Sequence, residues 1–104
     1  MKRYEVLISD RANEDIESIY KYIAKTLLEP AIASKQCNKI VEAILSLEEM
    51  PERIKLMDSE PERSKGLRSL IVGNYVIFFV VKAERVGIVR ILYSASDIGK
   101  RLLQ

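Results

Sequence analysis

The chain has 104 residues, no histidine, a single cysteine and a formal net charge of +2. That length makes one domain with a core of its own. It excludes an internal disulfide and rules out serine–histidine and cysteine–histidine catalysis. Zinc and haem sites lack their usual ligands, so no metal or cofactor is expected. The charge is uneven: residues 1–51 hold 7 Lys and Arg against 9 Asp and Glu, whereas residues 52–104 hold 10 against 6. The basic half is also the strand-rich half, a distribution compatible with nucleic-acid contact.

Residues Arg3 to Ser9 alternate, with Tyr4, Val6 and Ile8 on one face, and predict a first strand. The opening is too short for a secretory segment, and no run approaches the ~20 apolar residues of a membrane span. A cytoplasmic protein is therefore expected, which the lone cysteine also suits. Ser9 or Asp10 caps a first helix, and Glu14 and Asp15 fall in its first turn, where the helix dipole favours negative charge. Ala12, Ile16, Ile19, Tyr20, Ile23 and Leu27 form its apolar stripe. Pro30 fits the first turn of a second helix, with a stripe of Ala33, Cys37, Ile40, Val41, Ile44 and Leu47 and a stop at Pro51. Cys37, inside that stripe, reads as core packing. The two helices form a hairpin that lays its stripes on a sheet.

Met50 to Gly66, with two prolines and many charges, reads as a mobile loop with few apolar anchors. Arg68 to Val72 is the second strand, Gly73-Asn74 a two-residue hairpin turn, and Tyr75 to Lys82 the third strand. Tyr75–Val81 is apolar on both faces, so that strand should be central. Residues 83–87 turn, Ile88 to Tyr93 is the fourth strand, and Asp97 to Leu103 a short terminal helix. The fold class is α+β: a mainly antiparallel four-stranded sheet against an N-terminal helical hairpin, in the order βααβββ, with a possible short C-terminal helix.

The candidate chemistry is cationic. Lys55, Arg63, Lys65 and Arg68 lie within fourteen positions, and Arg90 comes from the neighbouring strand. Arginine brackets a phosphate with paired hydrogen bonds and lysine adds a point charge. Lys55, Arg63 and Lys65 read equally well as members of a solvated loop. Arg90 is expected to share its strand face with Ile88 and Leu92, either buried and paired or at a groove's rim. Tyr93, at a strand end, is a phenol that nearby cations would make more acidic, or else an edge tyrosine with a wet hydroxyl. Asp97 pairs with Arg90 or caps the terminal helix. No glycine-rich phosphate loop is present.

The segments YEVLISDRANEDIESIYKYIA, EMPER, LRSLIVGNYVIFFVV and VRILYSASD, in that order, resemble the RelE/ParE superfamily of toxins. The first has the strand, then Ser-x-x-Ala-x-x-Asp and Ile-x-x-Tyr-Ile, at Ser9, Ala12, Asp15, Ile19, Tyr22 and Ile23. The resemblance spans nearly the whole chain and implies a single toxin domain over residues 1–104, from a type II toxin–antitoxin pair, neutralised by a cognate antitoxin. Members split by target. RelE-like ones cut mRNA on the ribosome, the 2′-hydroxyl attacking the adjacent phosphate, without a metal; ParE-like ones poison DNA gyrase and lack that chemistry. Growth arrest by ribosome-dependent mRNA cleavage is the first expectation here. Lys55 or Lys65 would then act as base, Arg68 and Arg90 would hold transition-state charge, Tyr93 would orient or assist, and Arg63 would join Lys65, Arg68 and Arg90 in binding RNA. A gyrase inhibitor is the alternative, favoured by the pattern of VGNYVIFFVV and VRILYSASD. An inactive, antitoxin-binding relic is a third, because Ala95 and Ser96 stand where relatives carry basic or bulky residues.

Overall fold

A computed structural model describes residues 2–96 and 98–102. Strand β1 (Glu5–Ile8) leads into helix α1 (Asp10–Lys21), which widens into a π-type turn over Tyr22–Thr26. Helix α2 (Pro30–Ser46) returns alongside. A 3₁₀ turn at Pro51–Arg53 precedes β2 (Leu67–Val72), β3 (Tyr75–Lys82), β4 (Arg85–Tyr93) and the short helix α3 (Ile98–Leu102). The sheet order is β1-β4-β3-β2, with β1 parallel to β4 and the other pairs antiparallel. The expected α+β class and the inner position of β3 both hold.

Local chemistry explains the element ends. Ser9 Oγ accepts the Ala12 N–H at 3.1 Å and caps α1, while Pro30 occupies the first turn of α2. Gly73 takes φ +59° in the β2–β3 turn, as a tight hairpin requires. The β3–β4 turn is tighter than the sequence implied, because Ala83 adopts φ +56° and lets β4 begin at Arg85.

The main core lies between the hairpin and one sheet face. Ala12, Ile19, Ala33, Ile40, Ile44 and Leu47 from the helices meet Ile77, Phe79, Val86, Ile88 and Ile91 from the sheet. A second, smaller cluster of Leu67, Val76, Phe78 and Leu92 lies on the opposite face, packed by Met57, Ile98 and Leu102. Both faces of β3 are therefore buried, which accounts for its unbroken apolar run.

Four expectations need correction. Tyr20, Leu27 and Val41 do not complete the helical stripes but stand exposed. The 50–66 stretch is better anchored than its charges suggested. Pro51 is buried, Leu56 bridges Arg68, and the Met57 N–H donates to Leu67 O at 2.9 Å. The first strand is shorter, with Arg3 and Ser9 outside it. Finally, Ile88 and Leu92 do not share a face. A β-bulge falls between the pairs Phe78–Arg90 and Phe79–Ile88, so Ile88 enters the main core and Leu92 the second cluster. No helix among the described residues is long and apolar enough to cross a membrane.

Candidate functional site

The bulge re-aims Arg90. Its Nε and Nη2 donate to the two Asp15 oxygens at 2.7 and 3.0 Å, a bidentate pair whose side chains are 6% and 12% exposed. Asp15 also accepts the Ile91 N–H at 2.9 Å, and Arg90 Nη1 donates to Arg101 O at 3.2 Å. One ion pair thus ties α1, β4 and α3 together. The hydrogen bonds to Asp15 push the Arg90 guanidinium above its ordinary pKa, against the opposing effect of burial. Of the two positions expected for Arg90, the buried and paired one is observed. Asp97, its other proposed partner, lies outside the described residues.

The remaining predicted site residues are dispersed. Arg68 Nη1 donates to Ile54 O at 2.6 Å, and its guanidinium approaches Glu52 at 3.9 Å. Arg68 Nε is buried without an acceptor. Lys55 pairs with Asp58 at 3.3 Å and Arg63 reaches the other Asp58 oxygen at 4.0 Å, all three being solvent-exposed. Lys65 and Tyr93 line different clefts, and neither Lys55, Arg68 nor Arg90 lines either one. The structure brings Lys55 and Arg63 together on one carboxylate. It does not gather the proposed base, the charge-holding arginines and the phenol around one point.

Tyr93 belongs instead to a cleft of about 740 Å³ at the far end of the hairpin. Its ring meets Tyr75 edge-on, with centroids 5.8 Å apart. Tyr22, Leu27, Ile32, Gln36, Asn74 and Arg101 complete much of the wall. Burial, then neighbouring Tyr93, Cys37 and Tyr22, raise the Tyr75 phenol above its ordinary pKa, so it stays protonated. Its apolar lining is partly open: Tyr22, Leu27, Ile32 and Tyr93 are each about half exposed, and the next residue in the chain after Leu27, Leu28 at φ +56°, is 78% exposed. Half-exposed apolar and aromatic side chains around a concave floor are features of surfaces that bind partners. The sequence placed Leu27 in the apolar stripe of α1 and Tyr22 in the Ile-x-x-Tyr-Ile segment. The adjacent Leu27-Leu28 before Glu29-Pro30, a poor place for two buried side chains, was the available signal.

Residues 6–98 match the family model described as the ParE toxin of the type II toxin–antitoxin system parDE. The chain belongs to the ParE toxin family. Two solved structures share the fold. A chain from the chromosomal ParDE toxin–antitoxin system of P. aeruginosa is 25% identical with a TM-score of 0.74, the match covering 89% of this chain and 98% of that one. A chain from the RelBE2 toxin–antitoxin complex of Mycobacterium tuberculosis shares the fold at 22% identity and a TM-score of 0.64, covering 92% and 97%. No curated protein is similar enough in sequence to count as a relative. This ParE-family chain is thus a toxin of a type II toxin–antitoxin system in the RelE/ParE superfamily. Three positions of the Ser-x-x-Ala-x-x-Asp segment have structural work in it: Ser9 caps α1, Ala12 is fully buried, and Asp15 holds Arg90.

Proposed function

We propose that this toxin arrests growth by docking on DNA gyrase through the hairpin-end cleft, without cutting RNA, and that a cognate antitoxin neutralises it. The observation that carries this reading is the Arg90–Asp15 pair. An arginine that must neutralise a transferring phosphate has to present free donors to it. Here two of the guanidinium nitrogens are bound to a carboxylate and the third donates to a backbone carbonyl. Arg68 is partly engaged: its Nη1 donates to Ile54 O and Glu52 lies 3.9 Å away, while its Nε has no acceptor. This engagement of Arg90 supports the gyrase reading over ribosome-dependent cleavage, the first expectation from sequence. The family match and the half-exposed tyrosines and leucines of the cleft support recognition of a protein surface instead.

The test is a gyrase assay with purified toxin. Supercoiling of relaxed plasmid should be inhibited and cleaved DNA–gyrase complexes should accumulate. Tyr22→Ala and Leu27→Ala, both at exposed positions, should weaken the effect by about tenfold or more each while leaving the fold intact. Unimpaired supercoiling at saturating, folded toxin contradicts the reading.

A further inference from the structure

The sheet face away from the hairpin is only partly covered. Leu7, Gly87, Val80 and Leu67 stand in one registered row across all four strands. The next row outward is Glu5, Arg85 and Lys82. At the other end, Ile98 and Leu102 of α3 pack onto the cluster of Leu67, Val76, Phe78 and Leu92. A trough of about 440 Å³, lined by Leu7, Val80, Lys82, Ala83, Arg85 and Gly87, is left beside them. Val80 also lines a second, separate hollow, walled by Gly99 and Leu102 of α3 and by Glu60, Glu62 and Lys65.

Gly87 forms the floor of this trough, and its presence needs a reason. It sits inside a strand that is paired on both sides, where glycine costs ~0.5–1 kcal/mol relative to alanine. Its backbone is outside the left-handed region, so no turn or strain demands it. An added Cβ would meet only the Val80 side chain, at 3.4 Å, an ordinary contact. What glycine preserves is the space above it. Glycine within a strand commonly marks close approach by another backbone.

We propose that this trough receives a segment of the cognate antitoxin, laid beside α3 with an aliphatic side chain over Gly87 and carboxylates facing Lys82 and Arg85. The covered half of the same face shows what fits: α3 seats aliphatic anchors four positions apart, Ile98 and Leu102. Charge selects the partner. Lys82 has no acidic partner among the described residues, and Arg85 reaches only the exposed Glu5, at 3.4 Å. A second copy packed about a two-fold axis would bring these cationic rims together, which disfavours self-association here. The proposal rests on the toxin–antitoxin reading, and it adds the residues that would decide antitoxin recognition.

The probe is the purified product of the reading frame adjacent to the toxin's own, titrated by calorimetry. Gly87→Val should weaken binding by about tenfold or more and Gly87→Ala by less, while the variant toxins, expressed alone, still arrest growth. Should circular dichroism show Gly87→Val to be unfolded, the exposed pair Lys82→Glu and Arg85→Glu replaces it, with the same loss of affinity and a flatter salt dependence expected. Several results would overturn the proposal: affinity unchanged in the folded variants, an adjacent product that does not bind the wild-type toxin, or a self-association of the toxin that Gly87→Val abolishes. So would a variant that loses toxicity but keeps its affinity, since the trough would then face the target. A wild-type toxin that binds the probe but leaves growth unaffected defeats the function proposed above and leaves the trough standing.

Discussion

The two faces of the sheet are closed by different means. On one, α1 and α2 bury Ile77, Phe79, Val86, Ile88 and Ile91 beneath long apolar stripes. On the other, the five residues of α3 and the segment around Met57 cover Phe78 and its neighbours and leave both flanks open, with Leu7 exposed on β1 and Ile71 on β2. The closed face holds the fold together, and the open face and the hairpin end are the two surfaces proposed above to meet partners. Arg90 belongs to neither alone, because its pair with Asp15 fastens the hairpin to the sheet while its bond to Arg101 O holds α3.

That contrast can be broken at several strengths. The largest effects should come from Phe79→Ala and Arg90→Ala. The first opens a cavity in the closed core at a cost of about 3–5 kcal/mol. The second strands the Asp15 carboxylate in a site where its partner was almost fully buried, again costing about 3–5 kcal/mol. Chemical denaturation should show both as lowered midpoints with unchanged slopes. An Arg90→Ala protein as stable as wild type would mean that the pair does not fasten the hairpin.

Leu102→Ala probes the open face and should cost less, about 1 kcal/mol, because the side chain is only partly buried. It should also speed deuterium exchange in β3 and β4 on the side of Phe78 while leaving α1 and α2 unaltered. Slowest of all to register should be Cys37, half-sheltered against Ile16 O at 3.9 Å. Burial raises its thiol above the usual value near 9.0, so the thiolate is scarce at neutral pH. Alkylation by iodoacetamide should be slow at pH 7 and climb only above the ordinary thiol range. Fast labelling at neutral pH would show that the hairpin opens readily.

Much of the closed face was legible in the sequence, because period and capping are local signals. Ser9, Pro30 and the Gly73-Asn74 turn each marked an element end by chemistry confined to a few residues. The apolar stripes located the hairpin, and the two-sided run of Tyr75–Val81 located the inner strand. The site was less legible because it depends on long-range geometry. Asp15 looked like a helix-dipole residue until the fold placed it against Arg90, seventy-five positions away. The bulge beside Phe78 shifts the alternation of β4, and nothing in the periodicity announces it. Counting cations close in sequence grouped Lys55, Arg63, Lys65 and Arg68, whereas the folded chain puts Lys55 and Arg63 on Asp58, Arg68 on the Ile54 carbonyl and Lys65 in a separate cleft. The cleft residues Tyr22 and Leu27 were hidden for a related reason. Leu27 continues the apolar stripe of α1 past the point where the helix widens and stands exposed there, and Tyr22 opens that widened turn.

The central claim is that this toxin's arginines are structural and its activity lies in a binding surface. Primer extension on an actively translated message, in cells arrested by the wild-type toxin, tests it most directly. The message should remain intact within codons while growth has stopped. Cuts appearing at ribosome-occupied codons soon after induction would contradict the claim and return Arg68 and Arg90 to a catalytic role.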